Sequence, residues 1–210
     1  MARGRRSLFR ELARSAIACL ALTICRLPAE ARPPRPKVAE SLLVEIVIEG
    51  RGTVRIEVLP NVAPKTSLHF LNLVDKQFYS AILFHRVEDR FVAQAGDPAS
   101  KKVDGKKIAD ISPSEVTQRY RLGLGGSGRT VPLEAVIPCV RGSVGLAHNM
   151  SPDSGDSQFF FNLSDNHRLD NQYTIFARVV SGMDVVDHIR QGDRIRTVKR
   201  VLQRRDRSAR

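Results

Sequence analysis

Across residues 42–202 the apolar residues come in short runs, and in several of these they alternate with polar ones. A period of two buries one face of a strand and cannot make the stripe that an amphipathic helix needs. Val54, Ile56 and Val58 alternate with Arg55 and Glu57, after an apolar run over 42–48 and the turn Gly50-Arg51-Gly52. That pattern predicts an opening hairpin. Strands are further predicted over 83–87, 91–95, 143–148, 157–163 and 173–180. Pro64 opens a predicted helix that runs to Lys76, with Leu68, Leu71 and Val74 on one face and Phe70 beside them. A short helix is predicted over 182–189. Residues 194–202 suit a helix face as well as a twisted edge strand. The stretch 99–132, with two lysine pairs and a glycine cluster, reads as long surface loops. Many short strands, few helices and Gly/Pro-rich loops predict a mainly β fold, either a closed antiparallel barrel or a sandwich.

Charge divides the chain. The formal net charge is +12 over 210 residues, which first suggests a nucleic-acid or membrane binder. Residues 1–31 hold six Arg against two Glu, and residues 189–210 hold eight Arg and one Lys against two Asp. The remaining segment has 19 basic and 18 acidic residues, so the central domain is nearly neutral. In the leader an Arg-rich stretch precedes an apolar run over 16–25 and then Ala29-Glu30-Ala31. This is the layout of a signal peptide over 1–31, and Arg5-Arg6-Ser7-Leu8-Phe9 resembles a twin-arginine signal. An uncleaved amphipathic anchor and an organelle transit peptide fit the same Arg-rich leader. Residues 32–41 read as a Pro-rich linker, 42–202 as the domain and 203–210 as a basic tail. The expected location is periplasmic or in the cell envelope, reached by a Sec or twin-arginine route. Cleavage after Ala31 would leave Cys139 as the one cysteine, which suits a small packing residue and forms no internal disulfide. The five histidines are scattered, without metal-ligand spacing, so neither metal nor cofactor is expected.

Two motifs point to chemistry that their context does not support. Gly123-Leu124-Gly125-Gly126-Ser127-Gly128 matches G-x-G-x-x-G, but Pro132 forbids the helix that a dinucleotide site requires, so it reads as a mobile loop. Asp153-Ser154-Gly155-Asp156-Ser157 lies near His148 and His167 without a nucleophile elbow, and reads as a tight turn.

Two segments mix residue types unusual for core strands. One is Phe84-His85-Arg86 with Phe91-Val92-Ala93-Gln94-Ala95-Gly96-Asp97; the other is Gly145-Leu146-Ala147-His148 with Ser157-Gln158-Phe159-Phe160. Strand alternation puts Phe84 and Arg86 on the same side. An Arg beside aromatics is either a rim residue snorkelling over Phe or a functional cation.

These segments resemble the cyclophilins, peptidyl-prolyl cis-trans isomerases. Phe84, His85, Arg86, Phe91, Gln94, Gly96 and Asp97 follow one family pattern, and Ser157-Gln158-Phe159-Phe160 follows another. Leu169-Asp170, Tyr173-Thr174-Ile175-Phe176 and Gly182-Met183-Asp184 continue the likeness, and Ala63-Pro64-Lys65-Thr66 begins it. The resemblance spans about 42–202. It implies a closed eight-stranded antiparallel β-barrel capped by two α-helices, and isomerisation of X–Pro bonds. It implies Arg86 as the catalytic group. The substrate-binding residues it implies are Phe91, Val92, Gln94, Ala147, His148, Gln158, Phe160, Leu169 and Tyr173. Arg168 stands where many members carry Trp, and Ala95 replaces the first Gly of a Gly-Gly-Asp. The partners it implies are Pro-containing polypeptides, handled by a monomer. No nucleic-acid partner is expected, and the tail would make weak contact with anionic surfaces. A rival reading is a cyclophilin-like chaperone or Pro-peptide-binding module with little turnover.

Overall fold

A computed structural model describes residues 42–201. The proposed leader, the linker and the tail fall outside the described residues. Eight strands form one antiparallel sheet: β1 (Leu42–Ile48), β2 (Gly52–Val58), β3 (Arg86–Glu88), β4 (Val92–Ala95), β5 (Ser143–Leu146), β6 (Phe159–Asn162), β7 (Thr174–Ser181) and β8 (Ile195–Val201). Their order across the sheet is β3-β4-β6-β5-β7-β2-β1-β8. The helices are α1 (Pro64–Asp75), α2 (Pro113–Tyr120) and the short α3 (Met183–Asp187).

The opening alternation places residues as the period requires. Val44, Ile46 and Ile48 of β1 and Val54, Ile56 and Val58 of β2 are buried, while Arg55 between them is exposed. Gly50, at φ +67°, makes the turn that joins the two strands. The ambiguous stretch 194–202 is strand β8, paired with β1 so that Val198 faces Ile46. Behind the sheet, Phe70, Tyr79, Phe159, Phe161 and Phe176 are fully buried and meet mostly as tilted or edge-on ring pairs. Each such side chain contributes about 1.5–3 kcal/mol by leaving water.

Helix α1 lays Phe70, Leu71 and Val74 on this core, but Leu68, predicted on the same face, is 60% exposed. The contacting stripe runs through Ser67, Phe70, Leu71 and Val74, and Leu68 lies to its side. Ala63 cannot cap the helix with its side chain. Instead Glu134 accepts from the backbone N–H groups of Lys65 (3.1 Å) and Thr66 (2.9 Å). A carboxylate at an N-terminus satisfies orphan donors and opposes the positive end of the helix dipole.

The barrel is not closed, contrary to the expectation, and the helices number three among the described residues. β3 and β8 are the two edges and do not pair with each other; the residues just ahead of them are joined by an isolated bridge between Leu83 and Arg194 and by flanking bonds such as Ala81 N–H to Ile195 O (2.8 Å). The sheet is a curled half-barrel. Ala81, at φ +67°, lies ahead of the three-residue β3, and the segment between them bonds to 192–195 without forming a named strand. Phe84 and Arg86 do not share one strand, because β3 begins only at Arg86. Phe84 is buried against Phe161, whereas Arg86 is half-buried outside the core.

The stretch 99–132 is also more regular than predicted. It contains α2 and two short 3-10 turns, Pro98–Lys102 and Gly105–Lys107. A second small core of Leu83, Ile108, Val116 and Leu122 roots this excursion to the sheet. Cys139 is fully buried, and burial first, with Asp170 next, pushes its thiol up to about 11, as befits a packing residue.

Candidate active site

The sheet register assembles the site along one line. Arg86 on β3 faces Gln94 on β4, Gln94 faces Phe160 on β6, and Phe160 faces Gly145 on β5. The line works because Gly145 has no side chain: a Cβ there would stand 2.3 Å from Phe160 Cζ. The turn between β3 and β4 brings in Phe91, with Arg90 at φ 52° making the bend. A 3-10 turn, His167–Leu169, supplies Leu169 from a distant part of the chain.

The result is a cleft of about 270 Å³. Its lining includes nine of the ten residues named from the sequence: Arg86, Phe91, Val92, Gln94, Ala147, His148, Phe160, Leu169 and Tyr173. The tenth, Gln158, lines an adjoining hollow that shares Gln94, Ala147 and His148 with the cleft. Its apolar floor is Val92 and Phe160, both 3% exposed. Tyr173 stands edge-on to Phe160, with centroids 5.5 Å apart, and stacks on His148 at 4.4 Å. The two ring nitrogens of His148 face the carbonyl oxygens of Asn149 and Gln172.

The guanidinium of Arg86 is held from two sides. Nε donates to Glu88 Oε1 at 2.7 Å and Nη1 to Gln94 Oε1 at 3.4 Å. Gln94 Nε2 then donates to Gln158 Oε1 (2.9 Å), and Gln158 Nε2 to the carbonyl of Gly125 (2.7 Å). The glycine-rich stretch is therefore a tethered loop. Buried Asp97 accepts from the N–H groups of Gly123 (2.7 Å) and Gly125 (3.0 Å), and Asp156 accepts from Ser127 Oγ and Gly128 N–H. The Asp153–Ser157 region is a turn, as read, with a 3-10 segment at Pro152–Ser154.

Sequence reasoning missed four cleft residues: His85, Pro113, Thr117 and Gly123. Pro113 and Thr117 belong to α2, whose signal was present. Ser112 caps Glu115 N–H, and Pro113 sits at the first helical position. Only Val116 of that helix is buried, so it carries no apolar stripe to notice. His85 is 3% exposed; burial, the leading cause, lowers its pKa to about 4, against a smaller opposing effect of Asp97, so it is neutral near pH 7. Glu88, beside the cleft, is the carboxylate on Arg86. Among the described residues no three His, Cys, Asp or Glu are grouped to hold a metal ion.

An apolar slot with a cation on its wall and amide side chains beside it, on a curled antiparallel sheet, is a cleft suited to a peptide segment with one apolar ring. The model of the cyclophilin-type peptidyl-prolyl cis-trans isomerase family matches residues 43–205. A probable peptidyl-prolyl cis-trans isomerase of Brucella abortus is 40% identical over 143 residues, which is 67% of this chain and 68% of that protein. A peptidyl-prolyl cis-trans isomerase of Helicobacter pylori is 33% identical over 153 residues, 70% of this chain and 80% of that one. Among solved structures, a cyclophilin-type isomerase of Cryptosporidium parvum superposes with a TM-score of 0.62 at 22% identity, over 77% of this chain and 98% of that one. The chain belongs to the cyclophilin-type peptidyl-prolyl cis-trans isomerase family, and it is an isomerase of X–Pro peptide bonds.

Proposed function

We propose that Arg86 is the catalytic group and that Phe91, Val92, Phe160 and Leu169 receive the proline ring. The supporting observation is the Arg86 guanidinium on the wall of an apolar slot, held at Nε and Nη1. Rotation about an X–Pro bond is slow because the amide has partial double-bond character, with a barrier of about 18–20 kcal/mol. Twisting returns a lone pair to the proline nitrogen. A donor that meets this lone pair stabilises the twisted state more than the planar one, which is the requirement for catalysis. Arg86 keeps Nη2 free of hydrogen bonds among the described residues, and a guanidinium offers its donors in a fixed fork. No proton need be lost or gained by the protein. Gln94 and Gln158, with Ala147, His148 and Tyr173, would hold the amides and flanks of a Pro-containing segment. The Cryptosporidium parvum protein was also solved in the presence of the dipeptide Ala-Pro, which agrees with such a ligand here.

A charged hydrogen bond contributes about 1.5–3 kcal/mol, so Arg86→Ala should lose roughly 10- to 150-fold in kcat/KM on an X–Pro peptide in a protease-coupled assay. Equal rates for the two proteins would refute the assignment. We further infer a monomer exported to the periplasm or cell envelope through the leader over 1–31. A mature N-terminus at Arg32 by mass spectrometry is the expected observation.

A further inference from the structure

Arg168 lies beside the slot and its charge is unspent. It occupies the middle of the 3-10 turn His167–Leu169 and is exposed. Its guanidinium carbon sits 4.3 Å from the centroid of the Phe91 ring, nearer than that of Arg86 at 5.6 Å. Phe91 and Leu169 both line the cleft, so the ring that walls the slot also holds a second guanidinium at its mouth. A ring quadrupole attracts a cation without neutralising it.

The neighbouring carboxylates are committed elsewhere. Asp165 accepts from Arg141 N–H at 2.8 Å. Asp170 accepts from Cys139 N–H at 2.7 Å and lies 2.9 Å from His167 Nδ1. Glu88 meets Arg86, and Asp156 in the adjoining hollow meets Ser127 and Gly128. Among the described residues no carboxylate pairs with Arg168, and none lines the cleft. A peptide in the slot would therefore meet an unmatched positive charge beside its proline.

We propose that Arg168 makes this isomerase selective for X–Pro segments that carry a carboxylate side chain, Asp or Glu, next to the X–Pro pair. The proposal rests on the reading of the cleft as the proline slot. Arg168 acts by direct contact with the substrate's flank and takes no part in twisting the bond. Because the guanidinium is exposed, the preference is that of a solvated ion pair, about three- to fivefold.

The test uses the full chain and peptides differing at one flanking position, before X or after Pro, with Glu, Gln or Lys. The expected kcat/KM order is Glu above Gln above Lys at one of the two positions, with Glu three- to fivefold above Gln. The ratio should collapse to about one in ~1 M NaCl, where the screening length is about 3 Å. It should also collapse in Arg168→Gln and persist in part in Arg168→Lys. Equal turnover of the Glu and Gln peptides by the wild-type chain overturns the proposal and leaves the isomerase reading intact. A preference for Glu that survives in Arg168→Gln also overturns it. Failure to turn over any peptide overturns both readings.

Discussion

Adding one methyl group at Gly145 should damage the proline slot from behind. Gly145 faces Phe160 across the β5–β6 ladder, and a Cβ there would meet Cζ, Cε2 and Cε1 of that ring at 2.3, 2.7 and 2.8 Å. Ordinary contact is 3.4–4 Å, so the ring must retreat by about 1 Å. All three near atoms belong to the same ring, which is 3% exposed and abuts Tyr173. Gly145 is not among the residues with positive φ, so the penalty comes from overpacking and not from the backbone. Overpacking costs about 1–3 kcal/mol, and a 1 Å misplacement at a reacting site can cost on the order of 100-fold. Urea unfolding of Gly145→Ala should show the first, and the coupled peptide assay should show at least a tenfold loss in kcat/KM. The double variant Gly145→Ala/Phe160→Leu should be more stable than the sum of the two single effects, because the clash is removed. A Gly145→Ala protein with wild-type stability and wild-type kcat/KM would refute the reasoning.

Two further outcomes follow from buried groups. His85 has its pKa lowered by burial to about 4, so between there and its ordinary 6.5 the unfolded chain binds a proton that the folded one refuses. Stability should then fall as pH drops through that window, by about 3 kcal/mol at pH 4, and His85→Gln should remove this part of the slope. Identical pH–stability curves for the two proteins would count against it. Asp97 is fully buried and accepts from three backbone N–H groups, those of Ala99, Gly123 and Gly125. Asp97→Ala should cost about 3 kcal/mol in unfolding and speed hydrogen exchange at Gly123 and Gly125, since those donors lose their acceptor. Unchanged exchange at both amides would show that the loop is held by something else.

The legibility of the fold followed the range of its interactions. The β1–β2 hairpin was readable because alternation and turn glycines act within a few residues. β8 was not decided by its own pattern; pairing with β1 buries Ile195 and Val198 and exposes Arg196, Lys199 and Arg200. Helix α2 went unread because its stability comes from caps and from one buried side chain, Val116, in place of an amphipathic stripe. Leu68 was misplaced because the face of α1 that meets the sheet is chosen by the partner surface.

The amino-acid sequence alone determined where most strands lie, the near neutrality of the central domain and the residue types of the site. These depend on periodicity and on motifs a few residues long. The tertiary structure decided the open edge between β3 and β8, the line from Arg86 through Gln94 and Phe160 to Gly145, and the seat of Arg168 on Phe91. Gln94 and Phe160 are 66 positions apart, and Phe91 and Arg168 are 77 apart, so neither contact leaves a local pattern. Strand register and the curl of the sheet bring such pairs together, and both are settled by packing across the whole core.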